Sequence, residues 1–100
     1  MTEINANEIL ASHRADIDRI DREIVKLLVE RYVVVKNVAE TKSIYNLSPV
    51  QPARVEEVLN TRAAWAAQQG LDETLVRDLF RRMIDYAHTF EADLIESAND

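Results

Sequence analysis

The feature that most constrains this chain is a long stretch, from about Glu8 to Ser43, that contains neither glycine nor proline. Its apolar residues recur at spacings of 3, 4 and 7, the periodicity of an amphipathic helix. They include Leu10, Ile17, Ile20, Ile24, Leu27, Leu28, Val34, Val35 and Val38. The valines in "VERYVVVKNVAETK" would also suit a strand, but the flanking periodicity favours the middle of one helix. The sequence therefore predicts a helix of about thirty-five residues, which is about 50 Å long.

A connector and a second helix follow. Pro49 and Pro52 disfavour helix in the residues before them, whereas a proline suits a first helical turn. The second helix is therefore predicted to begin near Pro52 and to end at about Gln69, with Gly70 as a left-handed C-terminal cap. Its inward-facing residues are predicted to be Val55, Val58, Leu59 and Trp65.

A third helix is predicted over residues 71–96, with Asp72 as its N-cap. Its apolar stripe consists of Leu75, Leu79, Met83, Tyr86, Phe90 and Leu94. The predicted fold class is therefore all-α, with three helices, one of them very long. One hundred residues allow a single domain, which we expect to span residues 1–100.

The length of the first helix predicts a second copy of the chain. A compact domain of this size has a radius of gyration of about 13 Å, so a 50 Å helix extends beyond it. Yet the helix carries apolar residues from Leu10 to Val38, and these need cover. An intertwined helical homodimer supplies that cover, and a bent or broken first helix is the alternative.

Composition excludes several classes of partner. The net charge of −6 argues against nucleic acid, which requires a basic patch, but it still allows a small anionic ligand held by a few cations. There is no apolar run near the 18 or so residues that span a bilayer, and no signal peptide is evident. The absence of cysteine fits a cytoplasmic protein. His13 and His88 are far apart and isolated, so we expect no metal site.

Cations on the long helix suggest an anion site. Arg31 and Lys42 are eleven residues apart, so they lie on one face of the helix, about 16 Å apart along its axis. Arg14 lies about 25 Å from Arg31 and cannot share a small ligand with it on one straight helix. In an antiparallel dimer, Arg14 of one chain could meet Arg31 and Lys42 of the other, with Arg54 nearby. Spacing alone leaves open that each cation is simply solvated or paired on its own helix.

The segment "ADIDRIDREIVKLLVERYVVVKNVAETK" resembles the first helix of the all-helical chorismate mutase family. That pattern has an early Arg, then "IDxID…IVxLLxxR", then a Lys eleven residues after the second Arg. The resemblance continues through a Pro-containing loop, an Arg that opens the second helix, "GLD" and "LFxxMI". It covers about residues 9–96. It implies an interlaced dimer with two equivalent sites for a dicarboxylate that carries an enolpyruvyl ether. It also implies a pericyclic reaction that needs no metal or cofactor.

The resemblance also implies roles for individual residues. Arg14 from the partner chain and Arg31 would hold the side-chain carboxylate of the substrate, and Lys42 would hydrogen-bond the ether oxygen. Arg54 corresponds to the arginine that binds the ring carboxylate or orders the loop. Glu91 corresponds to a Gln or Glu near the ether oxygen; to donate there its carboxyl must be protonated, which implies that it is buried. A solvated carboxylate on the third helix is the alternative for Glu91.

Two positions depart from the typical chorismate mutase pattern. An acidic residue that contacts the ring hydroxyl commonly follows the arginine of the second helix, but here that residue is Val55. Another acidic position, in the preceding loop, corresponds to Gln51. A buried valine cannot satisfy a hydroxyl, and an unsatisfied buried polar group costs about 1–3 kcal/mol.

These departures, with "RVEEVL" and "RAAWAAQQGLD", resemble the isochorismate pyruvate lyase branch, which makes salicylate and often keeps weak mutase activity. Isochorismate carries its hydroxyl at another ring carbon, which fits the missing acidic partner. Glu91 argues the other way, because the lyases carry Gln there. An ordinary chorismate mutase and a 4-amino-4-deoxychorismate mutase stay open, as does a non-enzymatic helical interaction module, in which the cations would be exposed and separately paired.

Overall fold

The structure is a computed structural model that describes residues 5–99, and it consists of three helices without a strand in that range. Helix α1 spans Ala6–Ile44, α2 spans Pro52–Gln68 and α3 spans Glu73–Asn99. The all-α fold class is therefore confirmed, and the helix ends lie within a few residues of the predicted ones. Helix α1 is uninterrupted over its 39 residues, so the first helix is not broken.

The ends of α2 and α3 follow from local chemistry. Pro52 is the first residue of α2. At the other end Gly70 adopts φ 75°, the Leu71 amide donates to the Ala66 carbonyl at 2.8 Å, and the Gly70 amide donates to the Ala67 carbonyl at 3.1 Å. This pair of bonds is a Schellman motif, as the glycine predicted. Asp72 caps α3 as predicted, because its Oδ1 accepts from the Thr74 amide at 2.8 Å.

The chain divides into two compact units, Met1–Val33 and Val34–Asp100. In the second unit α2 packs against α3 around a cluster of Val58, Leu59 and Ile84, and Val55 and Phe80 pack against this cluster. Ala39, Ala63, Ala66, Val76 and Ala87 are also buried. A hydrogen bond of 3.0 Å from Arg77 to the Asn60 side chain links the two helices at the surface. The last turn of α1 contacts α3 in this unit through Lys42 and Glu91.

Part of the predicted inward face is wrong for the single chain. Trp65 is 55% exposed, and the Arg62 guanidinium lies over its ring, 4.5 Å from the ring centre. Leu75, Leu79 and Tyr86 are also more than half exposed. The physical reason is that α3 has two apolar stripes. The one that includes Val76 and Ile84 packs on α2, and the other remains on the outside.

The described part of the first unit is one stretch of helix α1 whose apolar side chains are exposed. Every large apolar side chain within residues 5–33 is between 39% and 62% exposed. The only ion pair between residues in this range joins Arg19 and Glu23, with 3.8 Å between N and O. None of the three helices, over the residues described, is long and apolar enough to cross a membrane.

Candidate active site

The most distinctive polar contact of the second unit joins Lys42 and Glu91. Lys42 lies in the last turn of α1 and Glu91 lies on α3, yet Nζ donates to Oε2 at 2.8 Å. Their side chains are only 14% and 5% exposed. Nζ also donates to the Pro49 carbonyl oxygen, at 2.6 Å. The ammonium is therefore fixed by one carboxylate and one backbone carbonyl.

A buried ion pair of this kind costs desolvation, and apolar residues of similar volume would often stabilise a fold as well or better. Among the side chains described, Glu91 is the only charged or polar residue that is buried. The sequence prediction that Glu91 is buried is therefore confirmed, and a solvated carboxylate at this position is wrong. Stability alone therefore does not account for this pair.

The start of α2 carries three further residues predicted for the site. Arg54 pairs with Glu57, one turn along the helix, and both side chains are about 60% exposed, so this pair contributes little to stability. Gln51 donates from Nε2 to the Ser48 carbonyl at 2.8 Å. Val55 is half-buried against the cluster of Val58, Leu59 and Ile84. The side chain that follows Arg54 is thus apolar and offers no hydrogen bond.

Arg14 and Arg31 belong to the first unit. Arg14 is exposed, and its Nη1 donates to Asn7 Oδ1 at 2.7 Å. Arg31 is half-buried. No carboxylate within residues 5–33 forms an ion pair with either guanidinium. Since the two arginines are seventeen residues apart on one helix, about 25 Å, a single chain cannot bring them to one small ligand.

The structure therefore brings together Lys42 and Glu91 and leaves Arg54 with Glu57 on its own helix. It adds the Pro49 carbonyl, which the sequence analysis missed. The available signal was Asn46, a residue type that tolerates a left-handed backbone and here reverses the chain after α1, with φ 59°. Over the described part of the chain, no three His, Cys, Asp or Glu side chains are grouped as metal ligands.

Two open grooves are lined by neither Lys42 nor Glu91. One is lined by Asp18, Asp21, Arg22 and Val25 of α1. The other follows α3 and is lined by Asp78, Arg81, Arg82, Asp85, Tyr86 and Thr89. Each is bordered by one helix and mixes both signs of charge, so neither has the converging cations that a dicarboxylate requires.

The described residues form three helices, and a buried ammonium–carboxylate pair joins α1 to α3 beside the connector. Comparison with known proteins gives the family. The model of the type II chorismate mutases matches residues 13–92, and the chain belongs to that family.

Individual relatives have different activities. The chain is 40% identical to the isochorismate pyruvate lyase of Pseudomonas aeruginosa, over 77% of this chain and 75% of the relative. It is 33% identical to the T-protein of Enterobacter agglomerans over 84% of this chain, but it spans only 22% of that protein. It is 32% identical to the 4-amino-4-deoxychorismate mutase of Streptomyces venezuelae, over 80% of this chain and 75% of the relative. The first and the third of these relatives are named for different reactions, one as a lyase and the other as a mutase.

Proposed function

We propose that the protein is a cofactor-independent isochorismate pyruvate lyase that acts as a homodimer. The observation that carries this proposal is Val55, which packs half-buried on the apolar cluster directly after Arg54. In the typical chorismate mutases that the sequence resembles, an acidic residue at that point commonly contacts the ring hydroxyl, and valine offers no such partner. The 40% identity to a lyase supports the same choice.

Cations at the site would bind the two carboxylates of the substrate. Arg31 and Arg14 of the partner subunit would hold the side-chain carboxylate, since a planar guanidinium matches a carboxylate with two parallel hydrogen bonds. Arg54 would hold the ring carboxylate or order the loop, after release from its exposed pair with Glu57. Gln51 lies one turn earlier and would line the same side of the site. The lack of ion pairs to Arg14 and Arg31 within residues 5–33 supports this assignment.

Lys42 would act on the reacting atoms as a point charge at the ether oxygen, where negative charge develops as the C–O bond breaks. Glu91, which pairs with Lys42, would hold the ammonium in place at that oxygen. Its burial beside Lys42 supports a role within the site.

The reaction balances without another reactant. The ether C–O bond breaks and one ring hydrogen moves to the departing enolpyruvyl carbon, so one isochorismate gives one salicylate and one pyruvate. Neither water nor a redox partner enters. The contribution of the protein is to hold the substrate in a compact reactive conformation and to stabilise charge on the ether oxygen.

The homodimer is part of the proposal because the site is incomplete without it. The exposed apolar residues of α1 form a continuous stripe that includes Ile17, Ile20, Ile24 and Leu28, each between 42% and 55% exposed. A second copy of the same helix would cover this stripe and bring Arg14 to the other chain's Arg31. In such a dimer residues 1–100 would form one domain. A cytoplasmic location stays a prediction.

The dimer is tested by placing a carboxylate in the stripe. The wild-type protein is expected to have twice the chain mass by light scattering. Ile24→Asp is expected to make it monomeric and to remove turnover, because burying an unpaired carboxylate in the dimer interface is too costly. Asn37→Asp adds the same charge at an exposed polar position of α1 and should leave both unchanged. A wild-type protein that is monomeric and active would contradict the dimeric site.

A second candidate is a mutase acting on chorismate or on its 4-amino analogue, and Glu91 favours it, since the lyases resembled here carry Gln at that position. The wild-type protein is therefore to be incubated separately with isochorismate, chorismate and 4-amino-4-deoxychorismate. The lyase proposal expects salicylate and equimolar pyruvate from isochorismate, at a kcat/KM higher than for either rearrangement. A higher value with chorismate or its amine would assign the mutase instead. No turnover of any of the three would favour a helical interaction module.

A further inference from the structure

The connector between α1 and α2, residues 45–51, folds back onto the last turn of α1. The Leu47 amide donates to the Lys42 carbonyl at 2.8 Å, and the Asn46 amide donates to the Ser43 carbonyl at 3.3 Å. With Asn46 at φ 59°, this is a second Schellman motif, equivalent to the one at Gly70. The main chain of Lys42 is therefore tied to the connector.

The same reversal brings the connector to the side chain of Lys42. Nζ donates to the Pro49 carbonyl at 2.6 Å and to Glu91 Oε2 at 2.8 Å. The next turn is held by the bond from Gln51 to the Ser48 carbonyl. An ammonium has three N–H donors, so two fixed acceptors determine the direction of the third.

We propose that the left-handed turn at Asn46 is a positioning element, which sets the Pro49 carbonyl so that the third N–H of Lys42 is directed at the ligand. Asn46 and Pro49 do not touch the substrate in this account, so they are positioning residues and Lys42 is the catalytic one. The kinetic part of the inference rests on the proposed function, whereas the placement of Lys42 does not.

Backbone conformation, rather than the Asn46 side chain, carries the effect. Asparagine visits the left-handed region readily and glycine does so freely, whereas a β-branched residue meets a steric penalty there. The structure itself uses glycine at the equivalent position of the other Schellman motif. Asn46→Gly is thus the matched control for Asn46→Val, with Asn46→Ala as a milder change if the valine variant does not fold.

The first measurement is steady-state kinetics with the best of the three substrates. We expect Asn46→Val to lower kcat about 10-fold or more with KM within about 2-fold, since sub-ångström misplacement of a catalytic group acts on the chemical step. Asn46→Gly should stay within about 2-fold of the wild type, and Asn46→Ala should lie between them. A role in stability alone would lower the melting temperature and leave kcat unchanged at saturation.

The second measurement does not depend on activity. The chain has three lysines, Lys26, Lys36 and Lys42, and only Lys42 is largely buried. Acylation by a water-soluble amine reagent, followed by mass spectrometry, should spare Lys42 in the wild type and in Asn46→Gly. In Asn46→Val, or in Asn46→Ala if it is used, Lys42 should be labelled at least about 5-fold faster, with the other two lysines unchanged.

The outcomes separate the two proposals. Unchanged labelling of Lys42 in the strained variant overturns the inference, whatever the turnover. Faster labelling with unchanged kcat also overturns it, because the reaction then does not depend on that placement. If no substrate is turned over, the proposed function fails, and faster labelling of Lys42 still supports the connector as the element that places it.

Discussion

Replacement of Arg31 by alanine is expected to lower kcat/KM by on the order of 10³-fold while the dimer stays folded. Arg31 is half-buried on α1 and has no carboxylate partner within residues 5–33, so its charge is available to a bound anion. Alanine removes both the charge and the forked hydrogen bonds, and a buried carboxylate of the substrate would then lack its partner. The measurement is kcat/KM for isochorismate together with the mass in solution.

Two variants give this prediction its controls. Arg19→Ala removes an arginine of the same helix that is exposed and paired with Glu23, and it should stay within about 2-fold of the wild type. Arg31→Lys keeps the charge without the planar fork and should fall between the two. Unchanged turnover in Arg31→Ala, with the dimer intact, would rule out the anion site as drawn.

Lys42→Met is expected to affect both activity and stability. Turnover should fall by on the order of 10³-fold, because no cation then stabilises the charge on the ether oxygen. The free energy of unfolding should fall by about 3–5 kcal/mol, because Glu91 is left buried without its counter-ion. Both are measured at one fixed protein concentration, by product formation and by urea denaturation, since a dimer's stability depends on concentration.

A double variant separates the two effects. Glu91→Gln in the Lys42→Met background removes the buried charge, so most of the lost stability should return while turnover does not. Lys36→Met, at an exposed position of the same helix, should change neither quantity by much. If Lys42→Met alone kept full activity, the ether oxygen would have to be stabilised by some other group, and the proposed mechanism would be wrong.

Helix positions were largely predictable because they depend on local rules. Periodicity gave the long α1 in spite of its valines, Pro52 gave the start of α2, and Gly70 with Asp72 gave the break before α3. Each of these signals acts within a few residues along the chain. The family followed from the same kind of local pattern around Arg31 and Lys42, and comparison confirmed it.

Burial was harder to predict. Periodicity marks Leu75, Leu79 and Tyr86 as apolar positions of α3, but it does not say which stripe meets α2 and which meets another chain. Trp65 was misplaced for the same reason, and Arg62 covers part of its ring instead. Apolar residues indicate that a helix face is to be buried. Only the packing of the helices decides which helix or chain buries it.

The sequence by itself determined three helices and the positions of the cations along them. It also determined that the first helix is too long to be covered by the rest of one chain. These properties depend only on residue type and spacing. Only the tertiary structure decided that Lys42 meets Glu91 across 49 residues of sequence and is held by the Pro49 carbonyl. The reason is that a contact between distant residues depends on how helices and turns pack in three dimensions. No periodicity along the chain encodes that distance.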